Sequence, residues 1–192
     1  MSIETLSAGF ADPVGDAQAC FRAVLDAMAR PGRVHEVQGV TAPAPLCSAA
    51  GAVLLTLADH ETRLWLDPAL QAARDWLAFH TGAPAEPALG RVMFAVAAFL
   101  PDLTALPTGT DDIPEASATV ILQVRSLSSG ARFELSGPGL REPAKLAVEG
   151  LPADFAALWA QNHALFPRGV DLILCAGNHL AALPRSVNVQ QA

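Results

Sequence analysis

The chain has 192 residues, a length that suits one compact domain whose hydrophobic core needs no disulfide or structural metal. Hydrophobic residues make up 52% of it and charged residues 16%, which excludes a largely disordered chain. The formal net charge of −7 argues against nucleic acid or an anionic membrane as a partner, because both attract concentrated positive charge.

The first predicted helix begins after Asp12, an N-cap residue followed by proline, and ends at the Pro-Gly pair of residues 31–32. Apolar residues recur along it at helical spacing and predict its buried face. They are Val14, Ala17, Phe21, Val24, Leu25 and Met28. On the other face Asp26 lies one turn before Arg30, so the two side chains are expected to pair.

The next elements alternate between short strands and helices. Residues 34–37 and 63–67 have the composition of short strands. Residues 46–58 and 70–80 have the pattern of helices, and a glycine at position 82 ends the second of them. The chain therefore mixes helices and strands from its beginning.

Three later segments, residues 92–100, 118–124 and 171–176, are short and almost entirely apolar. Such runs are typical of strands that are covered on both faces, and the helices between them predict an α/β fold with a mixed sheet between helical layers. A strand at 132–135, paired through a turn at 128–130, and a helix at 152–161 complete the prediction. We expect one domain over residues 1–192, with flexible ends at about 1–8 and 187–192.

Compartment and cysteine chemistry follow from local patterns. The beginning of the sequence lacks the basic and apolar segments of a signal peptide, and the apolar segment at 46–58 is too short to span a membrane. Cys20, Cys47 and Cys175 are far apart and form no Cys-x-x-Cys motif, which predicts reduced, buried thiols. We expect a cytoplasmic protein with no membrane partner.

Signatures of common active sites are missing from the sequence, including both nucleotide-binding glycine motifs, the serine-hydrolase elbow and His-Glu-x-x-His. The single lysine, Lys145, lies in a polar stretch that is predicted to be a solvated loop. A pyridoxal-phosphate Schiff base needs a buried amine, so this cofactor is not expected. We predict no catalytic residue, metal ligand or cofactor.

An acidic segment at residues 109–115 carries Asp111, Asp112 and Glu115, with no basic residue nearby in sequence. One interpretation is a patch that binds Mg²⁺ or a partner, because hard cations prefer oxygen ligands. The other is an ordinary turn, in which Asp and Thr side chains bond their own backbone. The second is the more common use of such a sequence.

Glycines and arginines at the ends of predicted strands form the second candidate site. Gly137 and Gly139 allow backbone amides to form a concavity, and Arg141 follows them. Arg168 and Arg185 lie in two further loops. Either these arginines gather around a phosphate-like anion, or they are solvated or hold a partner subunit.

Taken in order, these segments resemble the PhnH family, the H subunit of the bacterial carbon–phosphorus lyase system. The matching segments are GFADPVGDAQACFRAVLDAMARPGRV, GTDDIPEASATVILQV, SGPGL, LFPRGVDLIL and LPRS. The match runs from about Gly9 to Ser186. The resemblance implies a three-layer α/β/α sandwich that is similar to pyridoxal-phosphate-dependent transferases but lacks their cofactor.

The resemblance also implies a function within a complex. With its G, I and L companions, the family is assigned to transfer of a phosphonate onto the ribose of ATP, with loss of adenine. The product is a ribose 1-phosphonate 5-triphosphate, whose C–P bond the J subunit later cleaves. No catalytic residues are carried over by the resemblance.

Two hypotheses follow. In the first, the protein docks on the G, I and J subunits and forms a homodimer when isolated. In the second, loop arginines bind a phosphonate or nucleotide anion. The candidate residues for this anion site are Arg30, Gly137, Gly139, Arg141, Arg168 and Arg185. A cryptic pyridoxal-phosphate enzyme that uses Lys145 is a distant third.

Overall fold

A computed structural model describes residues 7–192 and contains a six-stranded mixed sheet, a three-stranded antiparallel sheet and flanking helices. The helices in this part of the chain are α1 (Pro13–Ala29), α2 (Ser48–Leu57), α3 (Arg74–Thr81) and α4 (Phe155–His163). The strands are β1 (His35–Glu36), β2 (Leu64–Leu66), β3 (Phe94–Ala97), β4 (Thr119–Gln123), β5 (Ser126–Ser136), β6 (Ala144–Glu149), β7 (Asp171–Ala176), β8 (His179–Leu183) and β9 (Asn188–Gln191). The predicted α/β class and mixed sheet are confirmed.

The larger sheet has the strand order β1-β8-β7-β4-β3-β2. Strands β2, β3, β4 and β7 are parallel, whereas β8 pairs antiparallel with β7 and β1 pairs antiparallel with β8. The three apolar runs are its central strands β3, β4 and β7, as predicted. The smaller sheet has the order β6-β5-β9 and is antiparallel throughout.

Both faces of the larger sheet are buried, and this explains why its strands are continuously apolar. Alternate residues of a strand point to opposite faces. Ile121 and Ile173 belong to a hydrophobic cluster with α1, α2 and α3, whereas their neighbours Leu122 and Leu174 belong to a second cluster with α4 and the smaller sheet. No helix among the described residues has the length and hydropathy that crossing a membrane requires.

Helix α1 has its predicted ends but not its predicted buried face. Asp12 caps the first turn by accepting a hydrogen bond from the Gly15 amide at 3.2 Å, and Ala29 is the last helical residue. The fold buries Cys20, Val24 and Ala27, so Val24 is the one fully buried residue of the predicted face. Ala17 and Met28 are half-buried, and Val14, Phe21 and Leu25 are exposed. The helix is therefore rotated by about a quarter turn from the prediction, because small Cys and Ala side chains pack closest to the sheet.

Three strands were missing from the prediction. Lys145, placed by the sequence in a solvated loop, lies on β6, although its side chain is exposed. Residues 179–183 form β8. The prediction of a flexible C-terminus at 187–192 is also wrong over most of that length. Strand β9 pairs with β5, and Val189 on β9 is buried.

Smaller differences concern the ends of elements. The predicted turn at 128–130 is an irregularity inside β5, where Ser126 and Ala131 pair with successive residues of β6. The third helix is preceded by a 3₁₀ turn, Pro68–Ala73, and its α-helical part begins at Arg74. Residues 1–6 of the predicted flexible N-terminus lie outside the described part of the chain.

Candidate functional site

Most of the polar motifs singled out in the sequence meet at the end of the larger sheet where the parallel strands β4 and β7 begin. This end of the strands is called the sheet edge in the following paragraphs. The antiparallel strand β8 ends at the same edge, because Leu183 is opposite Leu172. The loops before β4, before β7 and after β8 are therefore neighbours. The Gly169 amide joins the first two of these loops by donating to the Thr108 carbonyl at 2.9 Å.

The centre of this edge is a largely buried ion pair between Arg185 and Asp171. The Asp171 carboxylate accepts a hydrogen bond from the Arg185 backbone amide at 2.7 Å. It also accepts hydrogen bonds from the Arg185 guanidinium, with which it forms the ion pair. The same guanidinium donates to the Pro114 carbonyl at 2.6 Å. The His163 ring nitrogen Nδ1 lies 2.9 Å from the Arg185 carbonyl oxygen. Arg185 thus ties three loops and α4 together.

A second, more exposed pair lies nearby. Arg168 Nε is 3.1 Å from Asp111 Oδ1, and the Asp111 side chain is 80% exposed. Asp112 and Glu115 are exposed and form no ion pair within residues 7–192. No group of three His, Cys, Asp or Glu side chains in that range has metal-binding geometry. The partner of the acidic segment is thus an arginine from a distant part of the sequence.

The loop between β5 and β6 connects this edge to the end of α1. A Cβ atom added at Gly137 would lie 3.0 Å from the Ser186 carbonyl oxygen. One added at Gly139 would lie 2.1 Å from the Ala29 carbonyl oxygen. Because only glycine permits these approaches, the SGPGL segment brings the LPRS segment and the end of α1 together.

A basic cavity of about 490 Å³ opens beside this contact. Arg30 and Arg33 line it from the turn after α1, and Arg141 lines it from the start of the segment that leads into β6. Asp26 pairs with Arg30, as predicted, and also faces Arg33 at 3.6 Å. Arg141 makes no side-chain hydrogen bond or ion pair with any residue between 7 and 192.

His35 lies next to this cavity, with its Nε2 atom 3.1 Å from Asp26 Oδ2. The pKa of His35 is lowered by burial and then by the positive charges of Arg33 and Arg30. Sequence reasoning overlooked both Arg33 and His35. The signal for Arg33 was available, since it follows the turn that ends α1 and so lies close to Arg30.

The anion-site candidates therefore divide into two groups. Arg168 and Arg185 are paired with carboxylates at the sheet edge. Arg30 and Arg141 share the cavity, which neither of the other two lines. Of the predicted glycines, Gly139 lines the cavity and Gly137 supports the loop from the side of β9.

Cys20 and Cys175 are buried in the hydrophobic cluster that contains α1, α2 and α3, and Cys47 packs against that cluster. Burial raises the pKa of the Cys175 thiol well above its ordinary value, and the neighbouring Cys47 and Cys20 raise it further. Burial also raises the pKa of Cys20 and of Cys47, which is partly exposed. Because the thiolate is the reactive form, these are poor nucleophiles.

We expect at most one of the three cysteines to react with an aromatic disulfide reagent at pH 8 in the native protein, and all three in denaturant. A spectrophotometric thiol titration measures this directly. Rapid reaction of two or three native thiols would contradict the burial of Cys20 and Cys175.

The outer face of α1 is apolar and uncovered. Val14, Phe21 and Leu25 are 69%, 51% and 57% exposed, and their spacing places them on one side of the helix. These three residues are called the α1 face below. A stripe of large apolar side chains in water is unusual in a folded protein unless it meets a partner.

Comparison with known proteins gives a consistent result over nearly the whole chain. The family model described as bacterial phosphonate metabolism protein (PhnH) matches residues 8–190. A relative from Rhizobium meliloti (strain 1021), named alpha-D-ribose 1-methylphosphonate 5-triphosphate synthase subunit PhnH, is 41% identical over 191 residues, covering 96% of each chain. A second, the putative C-P lyase subunit protein HtxG of Stutzerimonas stutzeri, is 32% identical over 177 residues, covering 90% of this chain and 85% of that protein.

Proposed function

Because this chain belongs to the PhnH family of bacterial phosphonate metabolism proteins, we propose that it is a subunit of a carbon–phosphorus lyase complex and docks there through the α1 face. The names of both relatives contain the word subunit, which supports assembly as the basis of function. The proposed partners are the G, I and J subunits. The proposed reaction of the assembly is formation of a ribose 1-phosphonate 5-triphosphate.

The α1 face is the single observation that carries the docking role. Its three large side chains are on the outer side of the first helix, while the small side chains of the same helix are packed against the sheet. Burying one such side chain fully contributes about 1.5–3 kcal/mol, so a partner that covers all three gains substantial affinity. Arg22, also exposed, lies between them in sequence and adds a charged rim.

The sheet-edge ion pairs support this role in a different way. Arg185 and Arg168 are each neutralised by a carboxylate, so they hold loops together and are less available for an anionic substrate. These loops are held in place by contacts with α4, β7 and β8, which belong to the protein's own core. A rigid body with an apolar outer helix is well suited to support neighbouring subunits.

Two finer features belong to the proposal. When the other subunits are absent, the α1 face pairs with a second copy, which gives a homodimer. The fold is the three-layer sandwich of pyridoxal-phosphate-dependent transferases, used here without the cofactor. Packing of α1, α2 and α3 against one face of the sheet and α4 against the other supports this view.

The docking role predicts that Phe21→Glu lowers affinity for the co-expressed G, I and J subunits by about 30-fold or more, because a charge replaces a central apolar contact. Gel filtration and light scattering of the mixture measure this, and the isolated variant is expected to be monomeric. Phe99→Glu is the matched control, since Phe99 is equally apolar and 72% exposed in the loop after β3.

Normal co-elution of Phe21→Glu with all three subunits would remove the α1 face from the proposal. Equal loss in both variants would mean that the contact depends on general surface hydrophobicity. Circular dichroism of the isolated variants shows that both are folded, because neither position is buried.

A second candidate function, binding of a phosphonate or nucleotide anion, is favoured by one observation. The cavity beside α1 contains three arginines in a chain whose net charge is −7. Pairing of Arg168 and Arg185 with carboxylates restricts this candidate to Arg30, Arg33 and Arg141.

A further inference from the structure

Three of the twelve Lys and Arg residues of this acidic protein line one cavity. Arg30, Arg33 and Arg141 line the cavity and no carboxylate does, while the Asp26 carboxylate contacts the first two of these arginines. Three positive charges and one negative charge leave an excess of two. Such an excess in a concave site attracts anions, and its magnitude matches a dianion.

Two of these arginines have a structural role that accounts for their position. Arg30 pairs with Asp26 one helical turn before it, and Arg33 faces the same carboxylate. Both also lie at the C-terminal end of α1, where a positive charge offsets the helix dipole. These contacts orient the two guanidinium groups but leave most of their donors free, since their side chains are 51% and 61% exposed.

Arg141 has no such role. It is exposed, it pairs with no residue in the range 7–192, and it is far from the end of any helix in sequence. It reaches the cavity because Gly139 lets the preceding loop approach the Ala29 carbonyl. Arg141 is thus an unpaired guanidinium beside two others that share one carboxylate, and an anion bound between the three would offset their mutual repulsion.

The geometry points to a site in this cavity for a dianionic phosphoryl or phosphonate group, held by Arg30, Arg33 and Arg141. Guanidinium groups recognise such tetrahedral oxyanions through paired N–H donors, which an ammonium group cannot imitate. The cavity volume is within the range of small-molecule sites. The site lies at the end of α1, whereas the α1 face is on its side, so a ligand and a docked subunit can be bound together.

Calorimetric titration of the purified full chain tests this site, with inorganic phosphate, methylphosphonate and tripolyphosphate as separate ligands at low ionic strength. Saturable binding of at least one is expected, with chloride at matched ionic strength as the monoanion control. Arg141→Gln is expected to weaken binding by about tenfold or more, because it removes charge-assisted hydrogen bonds. Arg141→Lys should lose most of the same affinity.

Arg132→Gln is the matched control. It removes the same charge from an exposed position on β5 that does not line the cavity, and it is expected to bind like the wild type. Equal weakening by Arg141→Gln and Arg132→Gln, or equal competition by chloride, would reduce the effect to general electrostatics and overturn the site. Absence of saturable binding of all three ligands would overturn it as well.

The comparison among ligands identifies the source of the group. Tighter binding of methylphosphonate assigns the site to the phosphonate, and tighter binding of tripolyphosphate assigns it to a nucleotide. The Phe21→Glu variant is expected to bind these anions normally, since Phe21 does not line the cavity. Failure of the anion site and failure of the docking role are thus distinguishable.

Discussion

Replacing Asp171 by alanine is expected to lower the free energy of unfolding by about 3–5 kcal/mol, the cost of breaking a buried ion pair from one side. The side chains of Asp171 and Arg185 are only 16% and 15% exposed. In the alanine variant the Arg185 guanidinium stays largely buried without its carboxylate, and the Pro114 carbonyl is its remaining hydrogen-bond acceptor. The Arg185 backbone amide also loses its acceptor. Urea unfolding followed by circular dichroism measures the change.

The matched control is Arg168→Ala, which breaks the neighbouring ion pair at the same sheet edge. The carboxylate of Asp111 is 80% exposed, so water replaces the lost partner and the expected cost is at most about 1 kcal/mol. Similar losses in the two variants would contradict the conclusion that the buried Asp171–Arg185 ion pair stabilises these loops more than the exposed Arg168–Asp111 pair does. Asp171→Asn is expected to fall between them, because an amide oxygen still accepts hydrogen bonds but carries no charge.

The central sheet could be predicted from sequence because its strands are buried on both faces. Residues 118–124 and 171–176 are apolar at nearly every position, and their short length and β-branched residues favour strands over buried helices. Strand β6 has the apolar residues Leu146 and Val148 at alternate positions, as a half-buried strand does, but Lys145 and the adjacent proline suggested a loop. Strand β9 follows the buried Val187 and depends on β5 for its pairing, which local sequence does not reveal.

The orientation of α1 shows where periodicity fails. Phe21 and Leu25 are more apolar than Cys20 and Ala27, so the hydrophobic pattern predicts that the larger side chains are buried. The fold buries the smaller ones, because α1 packs closely over β8 and α2, and the larger ones are left outside. For a subunit of a complex, the pattern of the isolated chain includes the surface that partners cover, so this discrepancy supports docking through the α1 face.

The candidate site was predictable as a set of loops but not as a set of contacts. Asp111 and Arg168 pair across a long stretch of sequence, and the sequence offered no indication of which arginine would neutralise which carboxylate. The meeting of Gly139 with the end of α1 was similarly invisible. The structure thereby separates arginines that hold loops together from those that face a cavity, although all of them lie close to Pro or Gly residues in the sequence.

Replacing Gly139 by alanine is expected to lower the free energy of unfolding by about 3 kcal/mol, through left-handed backbone strain and a clash with α1. Gly139 has φ +86°, and its added methyl group would lie 2.1 Å from the Ala29 carbonyl oxygen, so loop or helix must move. Urea unfolding measures the loss. The displaced loop would also carry Arg141 away from Arg30, so the same variant should bind phosphate more weakly.

Gly177→Ala separates the two contributions to that loss. Gly177 also has a positive φ of +58°, but no atom lies within 4 Å of the position that its Cβ would occupy. Its expected cost is therefore the conformational part alone, about 1 kcal/mol, with phosphate binding unchanged. Equal losses in both variants would mean that Gly139 serves only the turn. A larger loss at Gly139, together with weaker phosphate binding, identifies the contact with Ala29 as the support that positions Arg141 over the cavity.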